Sequence, residues 1–517
     1  MRKFNVLFVL ILGTSLISMA QPAIDWQISL GGSAMDIAYA IDVTTDGGYI
    51  VVGGAVSNDH DVTGNQGSLD HWVVKLTSTG SIDWQKSLGG SIEDVAYSVQ
   101  QTLDGGYIVA GYAGSTNGDV AGNHGAHDFW VIKLTNTGNM DWQKCLGGSG
   151  LDESSVIEQT SDGGYIIAGT SKSTNGDVTG NHGNWDYWVV KLDSIGTIDW
   201  QKSLGGSSLE SASSVQQTLD GGYIIAGNSF STDGDVTGNH GDSDYWVVKL
   251  DSSGTIDWQK CLGGSGPDAA NDIKQTSDNG YIVTGWSLSR DGDVTGNHGD
   301  IDYWVVKLTS TGSIDWEKSL GGSGADQPHS IQQTIDGGYV VAGYTTSVDG
   351  DVTGAYVGLD YWVVKLTNTG SIDWQKCLGG SNAEIPYAIE QTLDGGYVVA
   401  GYSQSTDGDL TGNYGAQDYW IVKLSPSIVV STLIDAPRKL ELYPNPTKDQ
   451  ITLSMDAEFL GADYTIYNKI GQPILFGKVK GQITVIQLEN LPSAVYRVQV
   501  ERNGQSLNAV FVKGLPR

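Results

Sequence analysis

Cysteine, proline and basic residues are all scarce in this chain of 517 residues. It has 3 Cys, 11 Pro and only 28 Lys and Arg against 59 Asp and Glu. Three cysteines cannot form the dense disulfide framework that holds small secreted domains together. The shortage of basic residues argues against nucleic acid as a partner, because phosphate binding needs a positively charged surface.

Two hydrophobic patterns are also missing. After the first twenty residues, no stretch approaches the roughly 20 apolar residues that a membrane-spanning helix needs. No segment shows the apolar spacing of three and four that marks an amphipathic helix. The chain instead has 72 Gly, 16 Trp and many β-branched residues. This composition predicts an all-β protein with tight turns.

The N-terminus has the three parts of a secretory signal. Arg2 and Lys3 supply the positive region, residues 4–17 are apolar, and Ser18-Met19-Ala20 forms a small-x-small cleavage site. We therefore predict a signal peptide over residues 1–20. The acidic charge lies beyond it, since residues 22–436 hold 52 Asp and Glu against 16 Lys and Arg. Such a surface keeps an exported protein soluble and permits cation binding.

A repeat of 58 residues occurs seven times without insertion, over residues 21–424. In the fourth copy we predict strands near 212–218, 222–229, 244–250 and 256–262, joined by turn-forming residues. Four short strands in each repeat predict the blades of a seven-bladed β-propeller. Three aromatic series mark the period: Trp26, Trp84, Trp142, Trp200, Trp258, Trp316 and Trp374; Trp72, Trp130, Trp188, Trp246, Trp304, Trp362 and Trp420; Tyr49, Tyr107, Tyr165, Tyr223, Tyr281, Tyr339 and Tyr397.

The order of the partial copies predicts how the ring closes. Residues 24–30 have the sequence of a fourth strand, and residues 418–424 have that of a third strand. Pairing the two would complete the last blade and remove two exposed strand edges. The Thr-Gly-Ser-Ile-Asp-Trp stretch at 311–316 resembles the tryptophan-docking motif of quinoprotein propellers and the β-propeller repeats of secreted bacterial proteins. That resemblance implies that a Trp packs between neighbouring blades.

The three cysteines alternate with serine at one repeat position, so they cannot pair with each other and should be small core residues. Cys145, Cys261 and Cys377 occupy this position in every second copy, where Ser87, Ser203 and Ser319 stand in the others.

The loop between strands two and three is rich in Asp, Asn and Gly, and the strand order places all seven copies on one face. Alternating oxygen side chains in a curling loop resemble a calcium site, although the bidentate Glu of an EF-hand is missing. The alternative is that Asp and Asn only form local hydrogen bonds in turns. The candidate calcium ligands are Asp61, Asp70, Asp119, Asp128, Asp177, Asp186, Asp235, Asp244, Asp293, Asp302, Asp351, Asp360, Asp409 and Asp418.

Other polar residues of these loops give no catalytic pattern. One His in each of four blades (His124, His182, His240 and His298) is expected to fill its loop, because a zinc site needs several converging ligands. Trp185 could stack on a sugar. The first and sixth copies depart from the repeat at His60, Ala355, Tyr356 and Val357. Near-symmetry singles out no nucleophile or carboxylate pair, so no catalytic residue and no cofactor other than calcium is predicted.

Composition changes after Leu424. Residues 425–439 read as a linker, and residues 440–517 show alternating strands that predict a small Ig-like β-sandwich. Residues 440–514 are similar to the type A C-terminal sorting domain of the type IX secretion system, in the Tyr-Pro-Asn-Pro opening, the Tyr-Asn-x-x-Gly-Gln centre and the terminal Lys. The sorting-motif residues are Tyr443, Pro444, Asn445, Pro446 and Lys513.

The resemblance implies that this domain engages the type IX translocon and sorting machinery, and that the chain crosses the periplasm to the outer-membrane surface or the medium. For the propeller, near-symmetry favours a non-catalytic binding, adhesion or scaffold module, with a glycan or protein ligand on one face. The alternative is an extracellular enzyme of the glycoside hydrolase or peptidase type, with its site on the acidic loop face.

Overall fold

The computed structural model describes residues 21–426, 440–445, 447–455, 459–468, 471–492, 494–502 and 505–514. The predicted signal peptide at 1–20 and most of the predicted linker at 425–439 lie outside these ranges. Every extended regular element within them is a β-strand, which confirms the all-β prediction. The described residues contain no helix long and apolar enough to cross a membrane.

The repeats form seven four-stranded antiparallel sheets in chain order. In blade 4 the strands are Glu210–Gln217, Tyr223–Ser229, Asp244–Leu250 and Ile256–Leu262, within two residues of the predicted bounds. Gly221 in the hairpin between the first two strands has φ +84°, which explains the glycine there. The turns therefore separate the strands at the positions that the sequence predicts.

The strands of blades 1 to 3 follow the closing strand β1 (Ile24–Leu30). They are β2 (Asp36–Val43), β3 (Tyr49–Ala55), β4 (Asp70–Leu76), β5 (Ile82–Leu88), β6 (Asp94–Gln101), β7 (Tyr107–Ala113), β8 (Asp128–Leu134), β9 (Met140–Leu146), β10 (Asp152–Gln159), β11 (Tyr165–Ser171), β12 (Asp186–Leu192) and β13 (Ile198–Leu204).

Blades 4 to 7 continue in the same way, and the C-terminal domain adds seven strands. They are β14 (Glu210–Gln217), β15 (Tyr223–Ser229), β16 (Asp244–Leu250), β17 (Ile256–Leu262), β18 (Asp268–Gln275), β19 (Tyr281–Ser287), β20 (Asp302–Leu308), β21 (Ile314–Leu320), β22 (Asp326–Gln333), β23 (Tyr339–Thr345), β24 (Asp360–Leu366), β25 (Ile372–Leu378), β26 (Glu384–Gln391), β27 (Tyr397–Ser403), β28 (Asp418–Leu424), β29 (Glu441–Tyr443), β30 (Gln450–Ser454), β31 (Asp463–Tyr467), β32 (Pro473–Lys478), β33 (Ile483–Gln487), β34 (Ala494–Arg502) and β35 (Gln505–Lys513).

Blade 7 is built from both ends of the propeller, as predicted. Strand β1 pairs antiparallel with β28, and the sheet order is β1-β28-β27-β26. The indole Nε1 of Trp420 donates to Gln27 Oε1 at 2.8 Å across this pairing. Blade 7 in turn packs on blade 1, where the Tyr419 hydroxyl donates to the carbonyl of Trp72 at 3.1 Å. The seventh sheet is therefore joined to the first by side-chain packing and hydrogen bonds.

The two tryptophan series pack between blades. Trp246 is fully buried, and its ring centroid lies 4.6 Å from that of Tyr187 in the preceding blade. Trp26 is half-buried and packs on Gly80 in the turn of the next blade, with its ring 5.5 Å from that of Tyr49. This is the inter-blade contact that the tryptophan-docking resemblance implied. Cys145, Cys261 and Cys377 are buried and unpaired, as expected for small core residues.

The described part of the C-terminal domain has two sheets, with strand orders β29-β30-β33 and β32-β31-β34-β35. Both sheets contribute to one apolar core that includes Leu453, Ile486, Val498 and Phe511. Two antiparallel sheets enclosing one core form a small β-sandwich, which agrees with the prediction for this region.

Candidate functional site

The first strands of the seven blades surround a central channel, and one repeat position lines its mouth. Seven side chains 58 residues apart face a cavity of about 310 Å³ there. Each lies in the fourth position of its eight-residue strand. These channel residues are Tyr39, Tyr97, Ser155, Ser213, Asn271, His329 and Tyr387.

One half of the channel mouth is aromatic. The ring of Tyr39 lies 4.8 Å from that of Tyr97 and 4.9 Å from that of Tyr387, and Tyr387 lies 4.9 Å from His329. These rings come from blades 6, 7, 1 and 2, so the row crosses the point where the chain ends meet. Burial lowers the pKa of His329 to about 4, which keeps the ring neutral near pH 7. We call these four residues the aromatic arc.

The other half of the mouth carries small polar side chains from blades 3, 4 and 5. Ser155 Oγ donates to the carbonyl of Ala212 at 2.9 Å, and Asn271 Nδ2 donates to that of Pro328 at 2.6 Å. Glu153 also lines the cavity and lies 2.8 Å from His127 Nδ1. The mouth therefore presents apolar ring surface on one side and hydrogen-bonding groups on the other.

The sequence analysis missed these channel residues because it relied on residues that recur in every copy, and the residue type at this position varies from copy to copy. The signal was present in the comparison of the seven copies, where this position holds a ring in blades 6, 7, 1 and 2 and a small polar residue in blades 3, 4 and 5. Deeper in the channel, Gln332 Nε2 donates to Glu390 Oε2 at 2.7 Å. Burial raises the pKa of Glu390 to about 8.

The acidic loops and the inter-blade links share one face, as predicted. In blade 4, the main-chain N–H of Ser207 in the link donates to Asp233 Oδ1 in the loop at 2.7 Å. Asn239 makes local bonds, with its Nδ2 donating to Ser229 O and its Oδ1 accepting from Gly241 N, both at 3.1 Å. The Asn side chains therefore stabilise the turn through local hydrogen bonds, which fits the alternative interpretation for these residues.

The two predicted metal ligands of each loop face different blade junctions. Asp235 is half-buried and accepts from Gly205 N at 3.2 Å, in the link between blades 3 and 4. Asp244 is fully buried and accepts from His240 N at 2.9 Å, at the junction between blades 4 and 5. The loop therefore does not bring its own two carboxylates together. It pairs each with carboxylates of a neighbouring blade.

A third set of carboxylates, which the sequence analysis did not single out, completes every junction. It is the first residue of each first strand, always Asp or Glu and always fully buried: Asp36, Asp94, Asp152, Glu210, Asp268, Asp326 and Glu384. The acidic junctions, each named by its third-strand, first-strand and loop residues, are Asp418/Asp36/Asp61, Asp70/Asp94/Asp119, Asp128/Asp152/Asp177, Asp186/Glu210/Asp235, Asp244/Asp268/Asp293, Asp302/Asp326/Asp351 and Asp360/Glu384/Asp409.

Four of the seven junctions contain a histidine. His240 Nδ1 lies 2.7 Å from Asp244 Oδ2, and His124, His182 and His298 make the same contact at 2.7–3.1 Å. Each ring lies in the loop of its own blade and contacts the buried carboxylate four residues further along the chain. Gln66, Tyr356 and Tyr414 stand at this position in the other three junctions.

The junctions without histidine have the most perturbed carboxyl groups. Burial, followed by the charge of neighbouring carboxylates, raises the pKa of Asp360 to about 7 and those of Asp70 and Asp418 to about 6. In the histidine junctions burial also raises the pKa of the equivalent Asp, while the imidazole acts in the opposite direction. The acidic face is therefore electrostatically uneven around the ring.

The remaining predicted positions lie near the rim. Trp185 is half-buried, with Lys172 Nζ 5.7 Å from its ring centroid. His60 stacks on Tyr414 of blade 7 with ring centroids 4.9 Å apart. Val357 is 85% exposed on blade 6. These departures from the repeat thus lie on blades 6, 7 and 1, which also contribute to the aromatic arc.

In the sorting motif, Lys513 is buried and bonded to main-chain carbonyls. Its Nζ donates to Leu488 O at 2.6 Å and to Leu491 O at 2.5 Å. Asn445 Oδ1 accepts from Val512 N at 2.8 Å, which ties the motif to the last strand. Tyr443 is 44% exposed. Pro446 lies outside the described residues.

Comparison with known proteins identifies the second domain. Residues 441–513 match the family model of the secretion system C-terminal sorting domain. The chain thus carries a β-propeller passenger followed by a sorting domain that engages the type IX secretion system. This system exports the protein to the cell surface or the medium.

Solved structures resemble the chain only distantly. YCF48 bound to a D1 peptide has a TM-score of 0.40 and 10% identity, covering 80% of this chain and 99% of its own. PorZ, an essential surface component of the type IX secretion system of Porphyromonas gingivalis, has a TM-score of 0.29 and 11% identity, covering 92% and 70%. No curated protein matches this chain in sequence.

Proposed function

We propose that the exported propeller is a non-catalytic carbohydrate-binding module whose site is the mouth of the central channel. The observation that carries this proposal is the division of one repeat position into rings in four adjacent blades and small polar side chains in the other three. A purely structural propeller would not need different side chains at this position, because all seven blades have the same backbone fold.

The chemistry of the mouth suits a sugar. Aromatic rings pack on the apolar faces of a pyranose, while hydroxyl and amide groups bond its hydroxyls. Among the described residues, no protein group forms a hydrogen bond with the hydroxyls of Tyr39, Tyr97 and Tyr387, so they are available to a ligand. The cavity volume falls in the range of small-molecule sites, about 300–1,000 Å³.

The small number of carboxyl groups at the channel mouth favours binding over hydrolysis. A glycosidase needs two carboxyl groups on either side of the scissile bond. Glu153 is the one carboxylate among the residues that line the cavity, and it is engaged by His127. This arrangement supports recognition without turnover.

The test is carbohydrate binding by the full chain and by two matched variants, first on a glycan array and then by calorimetry. Tyr39→Ser installs the residue that blades 3 and 4 carry at the same position, so the fold should be retained. We expect it to weaken binding about tenfold, since an aromatic contact contributes roughly 1 kcal/mol or more. Tyr39→Phe keeps the ring and should bind within about threefold of the unaltered protein.

Two results would count against the proposal. Cleavage of a bound glycan would instead favour the extracellular enzyme on the acidic loop face. Equal binding by the Tyr39→Ser variant would place the site away from the channel mouth.

A further inference from the structure

The strands that surround the channel carry an excess of negative charge. Apart from their first residue, the seven first strands contain five acidic residues and one basic residue. The acidic residues are Asp42, Glu153, Glu158, Asp272 and Glu390, and the basic residue is Lys274. A ligand that enters the channel therefore meets a negative potential.

The single lysine does not balance this charge. Lys274 Nζ lies 2.7 Å from Asp272 Oδ1. Burial opposes the charge of Lys274, but the carboxylates of Asp272, Glu390 and Glu158 raise its pKa. These carboxylates come from blades 5, 7 and 3, so they share one ammonium group across the channel. Even with Glu390 protonated, Asp42, Glu158 and Asp272 outnumber the lysine by two.

The cavity at the mouth has a second negative group beside the aromatic arc. His127 lies between two carboxylates, with Nδ1 2.8 Å from Glu153 Oε1 and Nε2 3.4 Å from Glu93 Oε1. These three side chains together keep a negative charge whether the imidazole is protonated or not. Glu153 lines the cavity with Tyr97, and its charge adds to burial and the neighbouring tyrosines in raising the pKa of Tyr97. The carboxylate therefore acts on the cavity despite its contact with His127.

The aromatic arc offers a cation the faces of several adjoining rings. The rings of Tyr97 and Tyr387 are tilted by 60° and 55° to that of Tyr39, which lies between them. Burial raises the pKa of all three hydroxyls, so the rings remain neutral phenols. The face of such a ring carries partial negative charge, and clusters of aromatic rings bind ammonium groups in many proteins.

His329 adds a hydrogen-bonding atom to the same cavity. Its Nε2 atom is buried, and among the described residues no group bonds to it. Because burial keeps the pKa of His329 at about 4, the ring is neutral and can accept a hydrogen bond through this nitrogen. A protonated amine carries only donors and therefore fits this acceptor.

We propose that the carbohydrate bound at the channel mouth is an amino sugar with a free, protonated amino group, which the aromatic arc and Glu153 hold. This inference rests on the carbohydrate-binding function proposed above and specifies its ligand. In the part of the chain that the structure describes, no three His, Cys, Asp or Glu side chains are placed to hold a metal ion. The negative charge is therefore spread around the cavity, which suits an organic cation better than a metal ion.

The test is calorimetric titration of the full chain with pairs of oligosaccharides that differ only in N-acetylation, made from glucosamine and from galactosamine. At about pH 6 and low salt, a free amine and the exposed carboxylates are both charged. We expect the free-amine member of a pair to bind about tenfold more tightly than the acetylated member. Added salt should weaken the binding of the free-amine member alone.

Two variants change the charge of the site in opposite directions. Glu153→Gln should weaken binding of the free-amine member about threefold and leave the acetylated member unaffected. Lys274→Gln copies blades 2, 4 and 6 at this position and removes the one basic residue of the first strands, so it should strengthen free-amine binding about threefold. Asp257→Asn is the matched control, because it changes the net charge equally on an outer strand, where its side chain is 51% exposed. It should leave both affinities unchanged.

Three outcomes would overturn the proposal. Equal affinity for both members of each pair, unchanged in Glu153→Gln, would leave a carbohydrate site that does not recognise the amine. A linear polyamine that binds as tightly as the free-amine oligosaccharide would show recognition of charge without a sugar. Failure of both members of every pair to bind would contradict the proposed carbohydrate function as well.

Discussion

Blades 7 and 1 differ from blades 3, 4 and 5, although all are built on the same backbone repeat. The first pair contributes tyrosines to the channel mouth and is flanked on both sides by acidic junctions without histidine. The second group contributes Ser, Ser and Asn to the channel and is flanked only by histidine junctions. The two differences fall in the same sectors of the ring, and blades 2 and 6 have one junction of each kind.

The loops between the second and third strands follow the same division. Val348 and Val357 on blade 6 are 72% and 85% exposed, and Tyr414 on blade 7 stacks on His60 of blade 1. The equivalents of the two valines in blade 4 are Thr232 and Gly241. Exposed apolar groups of this kind are therefore found on the blades that supply the aromatic arc. Repetition therefore sets the backbone of the ring, and substitutions at a few repeat positions make one side of it chemically different from the other.

The largest effect should come from removing residues 24–30, which would leave blade 7 with three strands. Leu30 is buried, and Gln27 holds the Trp420 indole. Loss of this strand removes a ladder of main-chain bonds and of the order of 5 kcal/mol of stabilisation, which should lower Tm by roughly 10 °C. Differential scanning calorimetry of the purified chain would measure it.

Two point variants control for this deletion. Gln27→Ala in blade 7 and Gln259→Ala in blade 4 remove the same bond to a buried Trp, at 2.8 Å and 2.9 Å. Each should cost about 1 kcal/mol. A much smaller cost for Gln27→Ala, or an unchanged Tm after the deletion, would show that the two chain ends do not hold blade 7 together.

The next largest effect should be a loss of stability in acid caused by His71 in blade 1. At the same repeat position five other blades carry Tyr and one carries Phe. The ring is fully buried, and its Nδ1 has no partner. Burial lowers its pKa to about 3, so the unfolded chain, with a His pKa near 6.5, binds the proton more readily. Stability linked to His71 is therefore present above about pH 6.5 and is lost as the pH falls toward 3.

His71→Tyr should remove this loss. Tyr187 shows where the new hydroxyl can bond, since it donates to the carbonyl of Trp246 at 3.0 Å. Between pH 7 and pH 4.5 the variant should lose about 2–3 kcal/mol less stability than the unaltered protein, measured by urea unfolding. The other buried histidine, His329, is present in both proteins and cancels. His71→Phe should show the same reduced loss of stability. An equal loss of stability in acid for all three proteins would contradict the assignment of the acid sensitivity to His71.

The sequence predicted the blades well because local chemistry fixes them. The turn glycines, such as Gly221, and the alternation of buried residues set each strand within two residues of its observed bounds. The pairing of β1 with β28 followed from chain order alone, since only that pairing completes the last sheet. The match to the sorting domain followed from short motifs that lie close together in sequence.

The candidate sites were less accessible from the sequence because they form between blades. Asp235 and Asp244 are nine residues apart, and the fold sends them to different junctions. Their partners lie one blade away, and no local pattern records this. Tyr39 and Ser213 occupy the same repeat position, and only the closed ring places them on opposite sides of one cavity.

The smallest effect tests the histidine junctions themselves. His240→Gln copies Gln66 of blade 1 and removes the imidazole from Asp244, which keeps its bond from the main-chain N–H of residue 240. Because the ring is 42% exposed, the loss should be below about 1 kcal/mol, read from chemical denaturation at neutral pH. The reverse exchange, Gln66→His, should gain a similar amount at the Asp70 junction. If neither exchange changes stability, the imidazole is not what separates the two sectors electrostatically, and the division rests on the channel residues alone.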